Sequence, residues 1–243
     1  MNNKKTLSIR FKSLLLWIIM SIAAILAFFF TTLLTFNSLK IRHKVAFYWT
    51  RLFNFCAENI CGLTFEVIGK ENIPLSPAII ASNHQSIWET LCFSSFFPPH
   101  VWVLKSSLLK IPFFGWALKA CGPIPINRDN KRTAMKIILN VGELRIKEGF
   151  FILSFPEGTR LKIKERKPYQ NGTARLAILL QKPIVPVAHN AGLFLPKNSL
   201  CLFPGKITVM VCPPILVDKD SNLPDLTLKL ETTINNELDK LNV

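Results

Sequence analysis

At 243 residues the chain is long enough for one sizeable α/β domain plus an anchor, and too short to demand two domains. It is 49% hydrophobic and only 19% charged, which points to a membrane, and its 30 basic against 15 acidic side chains give a net charge of +15. Such a charge raises nucleic acid as a partner. No zinc-finger spacing, RNA-binding aromatic signature or basic repeat accompanies it, however, and cations beside an apolar run suit an anionic lipid surface, worth ~1 kcal/mol per Lys or Arg. Six cysteines without a C-x-x-C pair read as small buried hydrophobes in a reducing compartment, and four unpaired histidines give no expectation of a metal centre.

From Ser13 to Leu39 no residue is charged, and Leu14 to Phe36 is almost wholly apolar. That run covers the ~20 residues needed to cross hydrocarbon, and it exceeds the roughly 7–15 apolar residues of a cleaved signal. The flanks balance, with Lys4, Lys5, Arg10 and Lys12 on one side and Lys40, Arg42, Lys44 and Arg51 on the other. Charge counting therefore assigns no orientation, and both a spanning and a one-leaflet segment remain open. Residues 45–62, with Phe47, Tyr48, Trp49, Leu52, Phe53 and Phe55, fit either an interfacial helix or a helix packed on the following domain. The expected division is an anchor over residues 1–62 and an α/β domain over residues 63–243.

Past Gly69, apolar runs alternate with helical patterns, the mark of an α/β layer fold. The runs predict strands at 63–68, 78–82, 101–105, 123–127, 150–155, 184–189 and 206–212. Helices are expected at 87–97, 106–120, 131–148, 172–181 and 223–241. Residues 162–168, rich in lysine, read as an exposed loop.

Chemistry-bearing residues sit where the strands end. Asn83-His84-Gln85-Ser86-Ile87-Trp88-Glu89 places an imidazole five residues before a carboxylate, just after a buried-strand pattern. Neutral histidine can take a proton from an alcohol attacking an acyl carbon, typically worth 10²–10⁴-fold. A carboxylate on its far nitrogen fixes the tautomer and stabilises the imidazolium. No G-x-S-x-G elbow is present, so direct attack by a substrate hydroxyl is favoured over an acyl-enzyme. Five residues span ~500° of helix, so the pair works only with His84 in the turn and Glu89 in the first helical turn. Ser86-Ile87-Trp88-Glu89 also fits a capping box, with Glu89 reaching back to the Ser86 N–H, and spacing alone leaves cap and dyad equal. Arg128 and Arg160 follow two further buried-strand patterns, in Gly122-Pro123-Ile124-Pro125-Ile126-Asn127-Arg128 and Phe155-Pro156-Glu157-Gly158-Thr159-Arg160. Guanidinium grips phosphate with a two-pronged fork. The plainer alternative pairs these arginines with Asp129 or Glu157.

Together these segments resemble the glycerolipid acyltransferase family, most closely its 1-acyl-glycerol-3-phosphate acyltransferases. The family's N-H-x-x-x-x-D motif is similar to Asn83-His84 through Glu89, with Glu in place of the usual Asp. Its G-x-I-x-I-x-R pattern is similar to Gly122 through Arg128, its F-P-E-G-T-R to residues 155–160 in full, and its V-P-V strand to Val185-Pro186-Val187. The order holds over roughly residues 63–215. The resemblance implies a mixed β-sheet flanked by helices, with an N-terminal membrane-embedded helical segment. It implies His84 as base supported by Glu89, and Arg128, Glu157, Gly158, Thr159 and Arg160 holding the glycerol-phosphate portion with Lys105 near the phosphate. It implies an acyl-CoA or acyl carrier protein donor, no cofactor and no metal. The product would be phosphatidic acid, made from lysophosphatidic acid at the cytoplasmic face of a membrane, with no nucleic-acid partner. Another lyso-lipid acceptor, or a membrane-anchored lipid-binding protein with a degenerate site, are the alternatives.

Overall fold

In the computed structural model, residues 3–33, 38–111, 114–126 and 131–243 are described. Two long helices come first, α1 (Asn3–Leu33) and α2 (Leu39–Cys61). Then follow β1 (Leu63–Ile68), β2 (Ile79–Ser82), α3 (Trp88–Cys92), β3 (His100–Lys105), α4 (Phe114–Ala120) and β4 (Ile124–Ile126). The chain continues through α5 (Lys131–Lys147), β5 (Phe151–Ser154), α6 (Gly172–Leu180), β6 (Ile184–His189), β7 (Gly205–Val211) and α7 (Leu223–Lys240). The seven predicted strands are all present, within about a residue of their expected ends.

The strands form one sheet in the order β1-β7-β6-β2-β5-β3-β4. Strands β6, β2, β5, β3 and β4 run parallel; β7 is antiparallel to β6, and β1 runs parallel with β7. The sheet is therefore mixed. Side chains alternate between its faces, so Ile80, Trp102, Leu153 and Val187 enter one apolar cluster with α1, α2 and α3. Ile79, Val101, Ile152 and Ala188 enter the other, with α5, α6 and α7. Parallel strands covered on both faces read as unbroken apolar runs, which is why the runs were legible. On α7, Leu226, Leu230, Ile234 and Leu238 recur every four residues and are buried, so cutting any one to Ala is expected to cost about 2–5 kcal/mol.

Three helix expectations are corrected. The helix expected over 106–120 is interrupted: a 3₁₀ turn covers Ser106–Lys110, Ile111 is extended at φ −71°, ψ 122°, and α4 starts at Phe114. Ile111 precedes Pro112, whose ring disfavours helical backbone in the residue before it. The helix expected over 87–97 is a five-residue α3 followed by a 3₁₀ turn at Phe93–Ser95. The aromatic segment expected from residue 45 begins six residues earlier, at Leu39, and ends where Gly62 turns left-handed at φ 69° and returns its N–H to Glu58.

Helix α1 contains an apolar stretch, Thr6–Phe29, of 24 residues, long enough by length and composition to cross a membrane. One stripe, Ser13, Leu16 and Met20, is buried against the rest of the protein. Trp17 donates its indole N–H to Leu200 O at 2.7 Å, and Ser13 Oγ accepts from the Leu202 N–H at 2.9 Å. The opposite stripe, including Phe11, Leu14, Ile18, Ile22 and Ile25, is exposed.

Candidate active site

Strand β2 lies between β6 and β5, and the chain leaves β2 across one face of the sheet through α3 but leaves β5 across the other through α6. Such a reversal opens a crevice at the carboxyl ends of the strands. At these strand ends β2 leads into Asn83 and His84, β5 leads into Phe155 through Arg160, and β6 ends at His189.

His84 lies in the turn before α3, and Glu89 is the second residue of that helix. Their side chains meet, His84 Nδ1 to Glu89 Oε1 at 2.8 Å. The same Oε1 accepts the backbone N–H of Gln85 at 3.0 Å and of Ser86 at 2.8 Å. Cap and dyad, indistinguishable on spacing, are thus one arrangement built on one oxygen. Ser86 completes the turn, its Oγ donating to Leu195 O at 2.6 Å and accepting from the Trp88 N–H at 3.1 Å. Glu89 is fully buried while the His84 ring is 18% exposed, so the carboxylate is sealed and the imidazole faces the opening.

Burial alone would raise the Glu89 pKa. The imidazoles of His189 and His84, with the hydrogen bonds from His84 and the Ser86 N–H, outweigh it and hold the carboxyl below its ordinary value. An ionised Glu89 is an acceptor only, so His84 carries its proton on Nδ1 and Nε2 is the basic nitrogen. The ring stacks on Phe155, with centroids 4.0 Å apart and planes 14° apart, which leaves it little freedom to turn.

Glu157 joins this group. Its Oε2 accepts the backbone N–H of His84 at 3.1 Å, and it is buried. Burial, reinforced by the neighbouring Glu89 carboxylate and opposed by the His84 N–H, pushes its pKa up to about 8. Leu161 N–H in turn donates to His84 O at 2.7 Å, so the peptide groups on both sides of His84 are tied to the 155–161 loop. Gly158 lets this loop turn, at φ 72°.

Arg160 is half-buried and Thr159 exposed. Arg160 forms no ion pair with Glu157 or with any other described residue. Lys105 ends β3 exposed, in register with Ile126 of β4. Because β5 separates β3 from β2, two strand spacings or ~10 Å of sheet lie between Lys105 and the His84 strand. Arg128 lies outside the described residues. Among the described residues no group of three or more His, Cys, Asp or Glu could hold a metal ion.

Three residues here escaped the sequence pattern as functional candidates. Phe155 was visible only as part of a motif, and Asn83 only as the residue before His84. His189 is fully buried, its Nε2 lying 3.0 Å from Asn83 O and 3.8 Å from Glu89 Oε2. Its signal was present: it is a polar residue ending an apolar strand, the same placement that drew attention to His84.

Residues 64–190 match the family described as Acyltransferase. A 1-acyl-sn-glycerol-3-phosphate acyltransferase of Pseudomonas aeruginosa is 38% identical over 206 residues, covering 83% of this chain and 79% of that protein. The human 1-acyl-sn-glycerol-3-phosphate acyltransferase beta is 32% identical over 63% of this chain and 56% of its own length. The chain spans about half the length of that human relative and of a chloroplast relative from Brassica napus. In fold, it is similar to the crystal structure of the 1-acyl-sn-glycerophosphate acyltransferase from Thermotoga maritima, with a TM-score of 0.74 at 20% identity over 97% of this chain and 98% of that one.

Proposed function

The chain belongs to the 1-acyl-sn-glycerol-3-phosphate acyltransferases of the glycerolipid acyltransferase family, and from that premise we propose that it moves a fatty acyl group from a thioester to the 2-hydroxyl of lysophosphatidic acid. The observation that carries this reading is the His84–Glu89 pair, one ring partly exposed and one carboxylate wholly buried behind it.

In the proposed step, Nε2 of His84 takes the proton of the 2-hydroxyl as its oxygen attacks the thioester carbonyl. A C–O bond forms, the C–S bond breaks, and the proton passes to the departing sulfur, which leaves as a thiol. Glu89 keeps the ring in the required tautomer and offsets the transient imidazolium charge. No covalent enzyme intermediate is needed, and no metal or organic cofactor enters.

Arg160, which forms no ion pair among the described residues, is the group we assign to the acceptor phosphate, together with Lys105 and Arg128. Thr159 and the Gly158 backbone, next to Arg160 in the same loop, are assigned to the same phosphate. Glu157 enters this scheme differently from a phosphate ligand. With a pKa near 8 it is mostly uncharged at neutral pH, so it adds little repulsion to an incoming phosphate while holding the His84 backbone. The exposed stripe of α1 would rest against lipid, at the cytoplasmic face, beside the leaflet that holds acceptor and product.

The test is product formation from labelled lysophosphatidic acid by the detergent-solubilised full chain, with acyl-CoA and acyl carrier protein thioester offered separately. Labelled phosphatidic acid with either donor supports the proposal and identifies the donor. Preferential acylation of another lyso-lipid in direct competition would overturn the acceptor assignment.

A further inference from the structure

Behind the catalytic pair lies a second polar pair, sealed from solvent, that the reaction scheme leaves without a task. Asn83 and His189 are both fully buried, at the adjoining ends of β2 and β6. The Asn83 amide donates to His189 O at 3.0 Å, and Asn83 Oδ1 accepts the His189 backbone N–H at 3.0 Å. The His189 ring closes the loop, with Nε2 at 3.0 Å from Asn83 O. Nδ1 accepts the Ala191 N–H at 3.2 Å, so that nitrogen carries no proton and Nε2 must be the donor. Three hydrogen bonds therefore join two residues that lie far apart in sequence, and the one to Asn83 O grips the peptide directly before His84.

The donor also faces the carboxylate. Glu89 Oε1 is saturated by His84, Gln85 and Ser86, whereas Oε2 is buried and has no hydrogen-bond partner. His189 Nε2 stands 3.8 Å from that oxygen. A buried carboxylate oxygen without a donor is costly, and the positive end of a fixed N–H dipole is the nearest compensation. Trp88 and Phe93 enclose the ring, at centroid distances of 6.4 and 5.9 Å, and water is kept from the contact.

We propose that His189 is a positioning residue of the acyl-transfer site: as a neutral Nε2–H donor it clamps the Asn83 peptide that carries His84, and it faces the free oxygen of Glu89. The inference rests on the acyl-transfer reading for its kinetic arm only. His189 touches no substrate in this scheme and relays no proton. Both of its ring nitrogens are spent on the backbone.

Two measurements test it. In acyl-CoA turnover, His189→Leu is expected to lower kcat about 10-fold or more with the KM for lysophosphatidic acid within about twofold, because misplacing a base by a fraction of an ångström acts on the transition state and not on acceptor binding. His189→Gln, whose amide can still donate toward Asn83 O, is expected to recover to within about threefold of the wild type. Equal losses in both variants, or an unimpaired His189→Leu, would overturn the proposal. The second measurement needs neither turnover nor a folded variant. Long-range ¹H–¹⁵N spectra of histidine-labelled wild-type protein, which has four histidines, should show His189 protonated on Nε2 alone at neutral pH. A Nδ1–H tautomer or an imidazolium at His189 would overturn the clamp. An inactive wild-type protein with the expected tautomer would instead count against the acyl-transfer reading and leave the clamp standing.

Discussion

The carboxyl edge of β2 and the outer stripe of α1 break opposite rules. At the first, Asn83, Glu89, Glu157 and His189 are polar and buried; along the second, Phe11, Leu14, Ile18 and Ile22 are apolar and exposed. Each exception has a different physical justification. Apart from Glu89 Oε2, which has no hydrogen-bond partner, these buried polar groups bond to one another and to backbone, which offsets part of the cost of desolvation and fixes the geometry around His84. The exposed apolar groups have no such internal solution, and under the proposed function lipid is the solvent that removes the cost. Under the proposed function the comparison separates chemistry from location: the reaction is assigned to the first region, the membrane address to the second.

That separation can be broken experimentally. The largest expected effect is from His84→Ala, a loss of about 10³-fold or more in acceptor-dependent thiol release with the protein still folded. Glu89→Gln comes next. Gln can keep the two backbone bonds made at Oε1 but carries no charge, so kcat should fall about 10²-fold while the melting temperature moves by only a few degrees. Full activity in Glu89→Gln would reduce Glu89 to a cap. Arg160→Ala should act on the acceptor, raising the KM for lysophosphatidic acid by roughly 10-fold with little change in kcat. Replacing Leu14 and Ile18 together by Ser should weaken sedimentation with anionic vesicles roughly 10-fold or more, on about 1.5–3 kcal/mol per buried side chain, yet leave turnover in detergent unchanged. If turnover in detergent fell as far as in His84→Ala, the two regions would not be separable.

The smallest effect is on stability. Glu157 has its pKa raised from 4.5 to about 8 in the folded protein, so the stability tied to its protonated form is complete below pH 4.5 and is lost as pH rises toward and through 8. Thermal melts of the wild type should decline across that window, by an amount on the order of a few kcal/mol at most. In Glu157→Gln, which keeps an acceptor for the His84 N–H, the decline should flatten. Glu89 acts with the opposite sign: its pKa is lowered, and its contribution is lost in acid.

The strands were legible because the sheet is covered on both faces and its apolar runs end in polar turns. Breaks in helices were less so. Pro112 stands in the sequence, but a propensity pattern carried through it until the extended backbone of Ile111 marked the interruption. His84 and Glu89 could be paired on paper because only five residues separate them. His189 could not, since its partnership with Asn83 spans 106 residues and is made by the adjacency of β2 and β6, which no local spacing encodes. Cap and dyad could not be told apart for another reason: a carboxylate oxygen accepts several hydrogen bonds, and Glu89 Oε1 meets both His84 Nδ1 and the Ser86 N–H.

The measurement that bears most directly on the central claim is thioester cleavage by detergent-solubilised protein given acyl-CoA, with and without lysophosphatidic acid, in the wild type and in His84→Ala of demonstrated fold. The account predicts thiol release that requires both the acceptor and His84. Acceptor-dependent release that persists undiminished in His84→Ala would contradict it.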